Sequence, residues 1–349
     1  MRVPSHEIDP LTDARWRVFL AGHPRASVFH TPEWLEAVRR TYGYRPAVLT
    51  TSGADEDLAN GLVFCRVQSW LTGRRLVSVP FSDHCDPLVT SPEDVPVLLQ
   101  GLEERARTEG CKYAELRPVS PLPEIHPCWR ADECYYHHFL DLRAGAEALL
   151  HQFDRDCIQR RIRHASRSGI TVMEGRGLER LKEFYTLVLK TRRRQGLPPQ
   201  PMRWYRNLVD CLGDSVTIRC AYNGDQPIAA ILTLRYKNSL YYKYSASIAQ
   251  FHRFGAVPYL LWRAIQGAIS QGLEQLDLGR SDYDAVGLVA FKRRWNAKSL
   301  LTSYLRCPTD ARQVITNRGW VRRLARTTCK YMPDTCLAAL GNLAYRHVG

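Results

Sequence analysis

Apolar and polar residues along this chain switch between a period near 3.6 and a period near 2, so helices and strands alternate. In the first half, Trp34, Leu35 and Val38 fall on one face of a short helix that Thr31 caps and Pro32 opens, ending near Gly43. Strand-like runs follow at Ala47 to Thr51, Gly61 to Val67 and Leu76 to Val79. A loop with two prolines, Pro80 to Leu88, leads to a helix from about Pro92 to Thr108 that stops at Gly110. Lys112 to Leu116 reads as the next strand, Pro118 to Pro127 as a surface connection, and Tyr136 to Leu142 as a further strand.

The second half opens on a helix with Phe153, Ile158, Ile162 and Ala165 on its apolar face and Arg155, Arg160, Arg163 and Arg167 on its other sides. A second helix, Leu178 to Arg194, is broken by Gly196 and Pro198. Val216 to Tyr222 and Ile228 to Arg235 are strands, with Asn223-Gly224 predicting a hairpin whose turn positions both need positive φ. Ser239 to Ser245 is a strand, about Pro258 to Gln271 a helix, and a closing strand ends at Leu278. A polar loop carrying Arg280, Ser281, Asp282, Asp284 and Lys292 comes next, just past a strand's C-terminal end, where ligands sit in open α/β sheets.

The halves repeat an order of elements, and both close on the same offset, Gly110 to Glu115 and Gly272 to Asp277. The expected fold class is α+β, with two related domains over 1–145 and 146–310, a cleft between them, and a C-terminal segment over 311–349. That last segment alternates Arg318, Arg322, Arg323, Arg326 and Lys330 with Trp320, Val321, Leu324 and Tyr331. It reads as a basic amphipathic helix packed on the first domain, or one that touches anionic lipid or RNA phosphate.

Charge sharpens this picture. Lys and Arg number 49 against 35 Asp and Glu, a net +14, which favours a polyanionic partner. No run reaches the roughly 20 apolar residues of a spanning helix, and the first residues lack a basic-then-apolar signal, so a cytoplasmic protein is expected. The 11 cysteines form no CxxC pair, as free thiols would. Cys128, Cys134, His137 and His138 fit no common zinc spacing, and no metal site is assigned. A serine-hydrolase elbow, a Walker loop and an HExxH helix are all missing from the sequence.

Several stretches carry a likeness: VFHTPEWLEAV and GRRLVSVPFSD in the first half, RRIRHASRSGI, and the run ASIAQ…LLWRAIQGAISQGLEQLDLGRS…GLVAFKRRW. Over roughly Phe29 to Leu305 the chain resembles the Fem family of acyltransferases, within the GNAT-like superfamily. The resemblance implies two GNAT-like domains. It also implies transfer of an acyl or aminoacyl group from acyl-CoA or aminoacyl-tRNA, a co-substrate and not a tightly bound cofactor, to an amine. The implied acceptor is a cell-envelope saccharide or peptidoglycan-type precursor, with tRNA as a partner for one donor; peripheral membrane contact is expected only from the basic pattern of the C-terminal helix. In the matching Phe291-Lys292 pair, Lys292 is the position where relatives place a cation at the developing oxyanion. The loop His252, Arg253, Gly255, Ala256 stands where GNAT proteins cradle a pyrophosphate, but His252 and Val257 depart from the usual Gln/Arg-x-x-Gly-x-Gly/Ala.

Amine acylation needs a proton acceptor, and Asp282 or Asp284 would serve unless they only cap their loop. Arg280 binds a phosphate or carboxylate, or pairs with those acids. Tyr242 and Tyr244 share one strand face, so one lines the acceptor site or both are core; Tyr244 is taken as the catalytic candidate. Asp83 and His84, beside Ser82, are candidate acceptor contacts in a turn-rich loop. Arg160, Arg161 and Arg163 reach donor phosphates or form a solvated face. A rival of another class is a catalytically silent GNAT-like binding module.

Overall fold

The computed structural model describes residues 5–122, 126–310 and 329–348, which fall into two compact units. The first is built from residues 5–122, 126–135, 301–310 and 345–348. Its sheet orders β1 (His6–Ile8), β2 (Arg45–Thr50), β3 (Asn60–Ser69), β4 (Gly73–Val77), β6 (Tyr113–Leu116) and the Leu305–Pro308 end of β13 (Lys298–Pro308). A short β5 (Leu88–Val89) pairs with β3, and only the β4–β6 ladder in this unit is parallel among those described. Helix α3 (Asp94–Thr108) lays Val95, Leu98, Leu99, Leu102 and Ala106 over the buried Leu49, Leu62, Phe64, Leu76 and Leu116 of the sheet. Each leucine buried there contributes about 2 kcal/mol. Helix α1 (Ala14–Gly22) was not legible in the sequence, because only Trp16 and Leu20 of its nine residues are buried. Helix α2 (Pro32–Tyr42) is as expected: the Trp34 amide donates to the Thr31 hydroxyl at 3.3 Å, and Gly43 ends it at φ 75°.

Two buried polar devices shape this unit. Glu115, 3% exposed, accepts from Arg117 Nη2 at 2.8 Å and from Arg306 Nε at 2.7 Å, across a register that sets Arg306 opposite Glu115. Burial by itself would raise the Glu115 carboxyl, but the two guanidinium groups outweigh it and hold the pKa low. Arg117 also donates to Val79 O at 3.1 Å and stacks on Tyr304, whose hydroxyl donates to Asp83 O at 3.3 Å. The Pro80–Leu88 loop is thereby anchored at its start and near its middle. The second device is His30, fully buried, whose Nδ1 accepts from the Ser27 amide at 3.1 Å while Nε2 lies 2.9 Å from Asp86 O. Those partners fit one neutral tautomer, and a second proton would meet the Ser27 N–H.

The second unit spans residues 136–300 and 329–344. Its strand order is β7 (Arg130–Asp141, from Tyr136 onward), β12 (Gln275–Asp282), β11 (Ser239–Ser247), β10 (Gln226–Tyr236), β9 (Val216–Asn223), β8 (Thr171–Gly175). Helices α4 (Ala146–Gln152), α5 (Arg160–Arg167) and α8 (Ala256–Ser270) share one core with β10 to β12, including Phe153, Ile158, Ile162, Leu260, Leu261 and Ile265. Helix α6 (Leu178–Gln195) packs on β9, β10 and β11, and α7 (Met202–Leu212) packs on α6 and β9. The expected helix around 153–165 begins as a π-turn, Arg155–Gln159, capped by Asp154 accepting from the Asp156 and Cys157 amides. In the β9–β10 hairpin Asn223 pairs with Gln226, so the turn is Gly224-Asp225, one residue later than the sequence predicts, and Gly224 takes the positive φ.

Two differences bear on function. Strand β12 runs four residues past Leu278, so Arg280, Ser281 and Asp282 belong to the strand end and not to a loop. The stretch read as polar loop holds helix α9 (Val286–Arg293), in which Lys292 is buried. Of the C-terminal segment, residues 311–328 lie outside the described residues. Helix α10 (Asp334–Ala344) contacts α6, with Gly341 so close to Pro199 O that a Cβ there would sit 2.1 Å away. Packing on the first domain was expected for the segment; among its described residues, Tyr345 and its followers belong to the first unit, with Tyr44 Oη donating to Arg346 O at 3.0 Å.

Burial holds two histidines neutral, with His30 pushed down to about 4 and His138, in the second unit, likewise to about 4, Lys292 adding to the effect. Both protonate in the unfolded chain near pH 6.5, so stability is complete above that pH and falls as pH drops toward about 4. Denaturant midpoints are expected to be lower at about pH 5 than at about pH 7. Equal midpoints would contradict neutral buried imidazoles.

Candidate functional site

Strands β11 and β12 are parallel neighbours, yet their ladder covers only Ser239↔Gln275 to Tyr241↔Asp277. β11 continues to Ser247 and β12 to Asp282, so backbone groups beyond the ladder need other partners. Side chains supply them. Ser247 O accepts from Arg194 Nη1 at 2.8 Å and from Thr191 Oγ1 at 3.1 Å, while the Ser247 amide donates to Thr191 Oγ1 at 2.8 Å. On β12, Lys292 Nζ donates to Gly279 O at 3.0 Å and Arg280 O at 2.8 Å, from a side chain 3% exposed. Gly279 has φ 68°, and its amide donates to Asp277 Oδ1 at 2.6 Å, which kinks the strand where the lysine reaches it.

A cavity of about 590 Å³ lies against the outer part of β11. Its floor is apolar: Ile158, Ile228, Ile248, Phe251, Val257, Leu288 and Phe291. Tyr242, Ser245 and Ser247 line it from β11, and Gly255 and Ala256 bring the N-terminus of α8 to its wall. Arg161, Arg194 and Arg294 stand at the rim, each exposed, and no carboxylate is among the described lining residues. Such a volume accommodates a ligand of nucleotide size, and a helix N-terminus with cations beside it favours an anion.

The loop before α8 is fixed from both sides. Arg161 Nη1 donates to His252 O at 3.4 Å, and His252 Nε2 lies 2.9 Å from Ser247 Oγ. Partial burial, then the charges of Arg194 and Arg161, lower the His252 pKa, so the imidazole is neutral at pH 7. Gly255 takes φ 70°, and a Cβ there would lie 2.7 Å from Arg161 O; the backbone of α5 passes too close for any side chain. Tyr242 is held protonated, its pKa pushed up to about 12 by burial, and it hydrogen-bonds Ser245.

The residues singled out from sequence divide sharply. Phe291, His252, Gly255 and Ala256 line the cavity, whereas Arg253 turns onto the Phe254 ring. Lys292 does not line it; its ammonium holds α9 onto β12. Tyr244 is also elsewhere: its hydroxyl accepts from Trp204 Nε1 at 2.8 Å and its ring packs edge-on to Tyr205, so of the two tyrosines Tyr242 is the one at the cavity. The irregularity of the β10–β11 register at Leu232/Thr233 separates the faces of these two tyrosines, which strict alternation would have joined. Asp282 is exposed, Arg280 half-buried, and Ser281 is 1% exposed. Arg160 pairs with Asp156 at 3.6 Å and Arg163 with Gln159 at 2.7 Å; their neighbour Arg161 is the one at the cavity. Asp83 and His84 belong to the first unit, where the His84 ring meets Phe29 edge-on.

Arg194 and Arg294 were not singled out as ligands. Arg194 reads as a last-turn helix cation, and Arg294 as one of several basic residues. The signal that would have found Arg294 is its spacing of three from Phe291, one turn along the same side of the chain.

Residues 153–293 match the family model described as Acetyltransferase (GNAT) domain. No curated protein matches the chain. Among solved structures, FemX is similar at 15% identity, with a TM-score of 0.67 over 92% of this chain and 100% of that one. A tandem GNAT protein from the clavulanic acid biosynthesis pathway is 10% identical with a TM-score of 0.56, covering 88% of this chain and 100% of its own. L-PGS from Bacillus licheniformis is 14% identical with a TM-score of 0.52, covering 93% and 98%. At these identities the likeness is one of fold. Every described lining residue of the cavity except Arg294 falls inside the segment that matches the GNAT acetyltransferase model, and the chain has the tandem GNAT-like fold.

Proposed function

We propose that the second unit holds an activated acyl donor in this cavity and transfers its acyl or aminoacyl group to an amine. The observation that carries the reading is a rim of three arginines, without a carboxylate among the described lining residues, around an apolar floor at the N-terminus of α8. The arginines and the helix end would take the donor's phosphates, and the floor its acyl portion. The acceptor nitrogen then attacks the carbonyl carbon, a C–N bond forms, and the C–S or C–O bond to the carrier breaks. The leaving thiolate or alkoxide takes up a proton and the new amide nitrogen gives one up to solvent, so the proton count is unchanged. Tyr242, protonated and facing the cavity, is the side chain placed to supply the leaving group's proton.

The donor is read as an aminoacyl-tRNA, with an amine on a cell-envelope saccharide or peptidoglycan-type precursor as acceptor. Val257 and Pro258 at the start of α8 support this over acyl-CoA, since Pro258 has no N–H to offer a pyrophosphate and Val257 narrows the approach. The second reading, an acyl-CoA-dependent N-acetyltransferase, keeps its support from the matched domain itself.

Calorimetric titration of the full chain with charged tRNA and with acetyl-CoA separates the two. Charged tRNA is expected to bind, with affinity reduced about tenfold or more in Arg161→Gln and Arg294→Gln. Binding of neither donor would contradict the proposal, and binding of acetyl-CoA alone would establish the second reading. With an amine acceptor supplied, Tyr242→Phe is expected to slow turnover about a hundredfold while leaving donor affinity within a factor of two or so.

Lys292 is assigned to positioning α9, and through it Phe291 and Arg294. Lys292→Met leaves two carbonyls without their donor and is expected to cost about 2–3 kcal/mol of stability. The measurement is a lowered melting temperature together with weakened donor binding; unchanged stability with abolished turnover would instead put the ammonium at the oxyanion.

A further inference from the structure

The first unit carries a small projecting apolar surface that the cavity and its chemistry do not involve. Strands β3 and β4 pair as far as Ser69↔Gly73, leaving a three-residue turn, Trp70-Leu71-Thr72. Gly73 follows at φ 86°, the left-handed residue that closes such a turn, and a Cβ there would fall 2.5 Å from Lys112 Cε. The turn directs its two large apolar side chains outward: Trp70 is 86% exposed and Leu71 59%.

The turn is braced. Ser69 Oγ accepts from the Leu71 and Thr72 amides at 3.1 and 2.9 Å and lies 2.8 Å from His347 Nδ1. His347 O accepts from Thr72 Oγ1 and from Arg75 Nη2, both at 3.0 Å, and the His347 ring meets Trp70 edge-on at 5.3 Å. This clamp brings Val348, 65% exposed, to the same place. Three exposed cations surround its base: Arg74, which donates to Glu109 O at 3.5 Å, Lys112, whose stem covers Gly73, and Arg346. The nearby acid, Glu109, is bound to Arg66 at 2.7 Å. An apolar tip with cations set behind it has the layering of a lipid interface, with tryptophan at the headgroup level and lysine or arginine at the phosphates. A convex two-residue tip offers little area to a protein partner, whereas a bilayer needs none preformed.

We propose that this β3–β4 turn, with Val348, is a membrane-docking tip that inserts Trp70 and Leu71 into the interface of an anionic bilayer. The proposal stands apart from the acyl-transfer reading, since its residues and its test involve neither donor nor cavity. The test is co-sedimentation of the full chain with vesicles of phosphatidylcholine alone and of phosphatidylcholine with about a third phosphatidylglycerol. Binding is expected to the anionic vesicles, to fall with added salt, and to weaken about tenfold or more in Trp70→Ser. Trp70→Ser should melt with the parent protein, its side chain being exposed, and Arg74→Gln with Lys112→Gln should reduce binding to anionic vesicles only. Failure of the parent protein to bind, or equal binding by Trp70→Ser, overturns the proposal. So does light scattering in which Trp70→Ser turns a dimer into a monomer without changing lipid binding, since the tip would then cover a second copy.

Discussion

Two parallel strands that stop pairing after three residues expose backbone groups that must bond to something, and the candidate site follows from how this chain satisfies them. Thr191 and Arg194 of α6 take the Ser247 end of β11, and Lys292 of α9 takes the Gly279 and Arg280 carbonyls of β12. These contacts hold α6 and α9 at the outer ends of the strands and so bring Arg194, Phe291 and Arg294 to the cavity. A ladder continued to the ends of both strands would leave no such demand. The buried ammonium is thus tied to the opening itself, which is why its loss should be felt as stability before it is felt as chemistry.

The second constraint is close approach. Gly255 admits the α5 backbone to within a distance that no Cβ tolerates, and this places Arg161 beside His252 and the start of α8. The dipole of that helix end and the arginines act on the same region, so their effects on an anion reinforce one another. His252, kept neutral by partial burial and its two cationic neighbours, adds a hydrogen-bonding group without adding charge.

Much of this architecture was legible in the sequence because it rests on local signals. Thr31-Pro32 set the start of α2, Gly196 the end of α6, and alternation marked β9 to β11. What escaped was fixed by tertiary contacts. Helix α9 reads as a loop because it is only eight residues long, follows the polar run Arg280 to Asp284, and buries only Val289 and Lys292. The exchange of Tyr244 for Tyr242 came from a strand irregularity that no sequence period reveals. Of three adjacent arginine candidates, the sequence could not distinguish Arg161 from Arg160 and Arg163, since which one meets the cavity depends on the π-turn that sets the phase of α5.

The account centres on the cavity beside β11 as the donor site, and a crystal structure with a hydrolysis-resistant aminoacyl-tRNA end bound tests that claim most directly. It predicts density for the aminoacyl group over Phe291 and Tyr242, with a phosphate at the start of α8 among Arg161, Arg194 and Arg294. A donor bound elsewhere, with this cavity left to solvent, would contradict it.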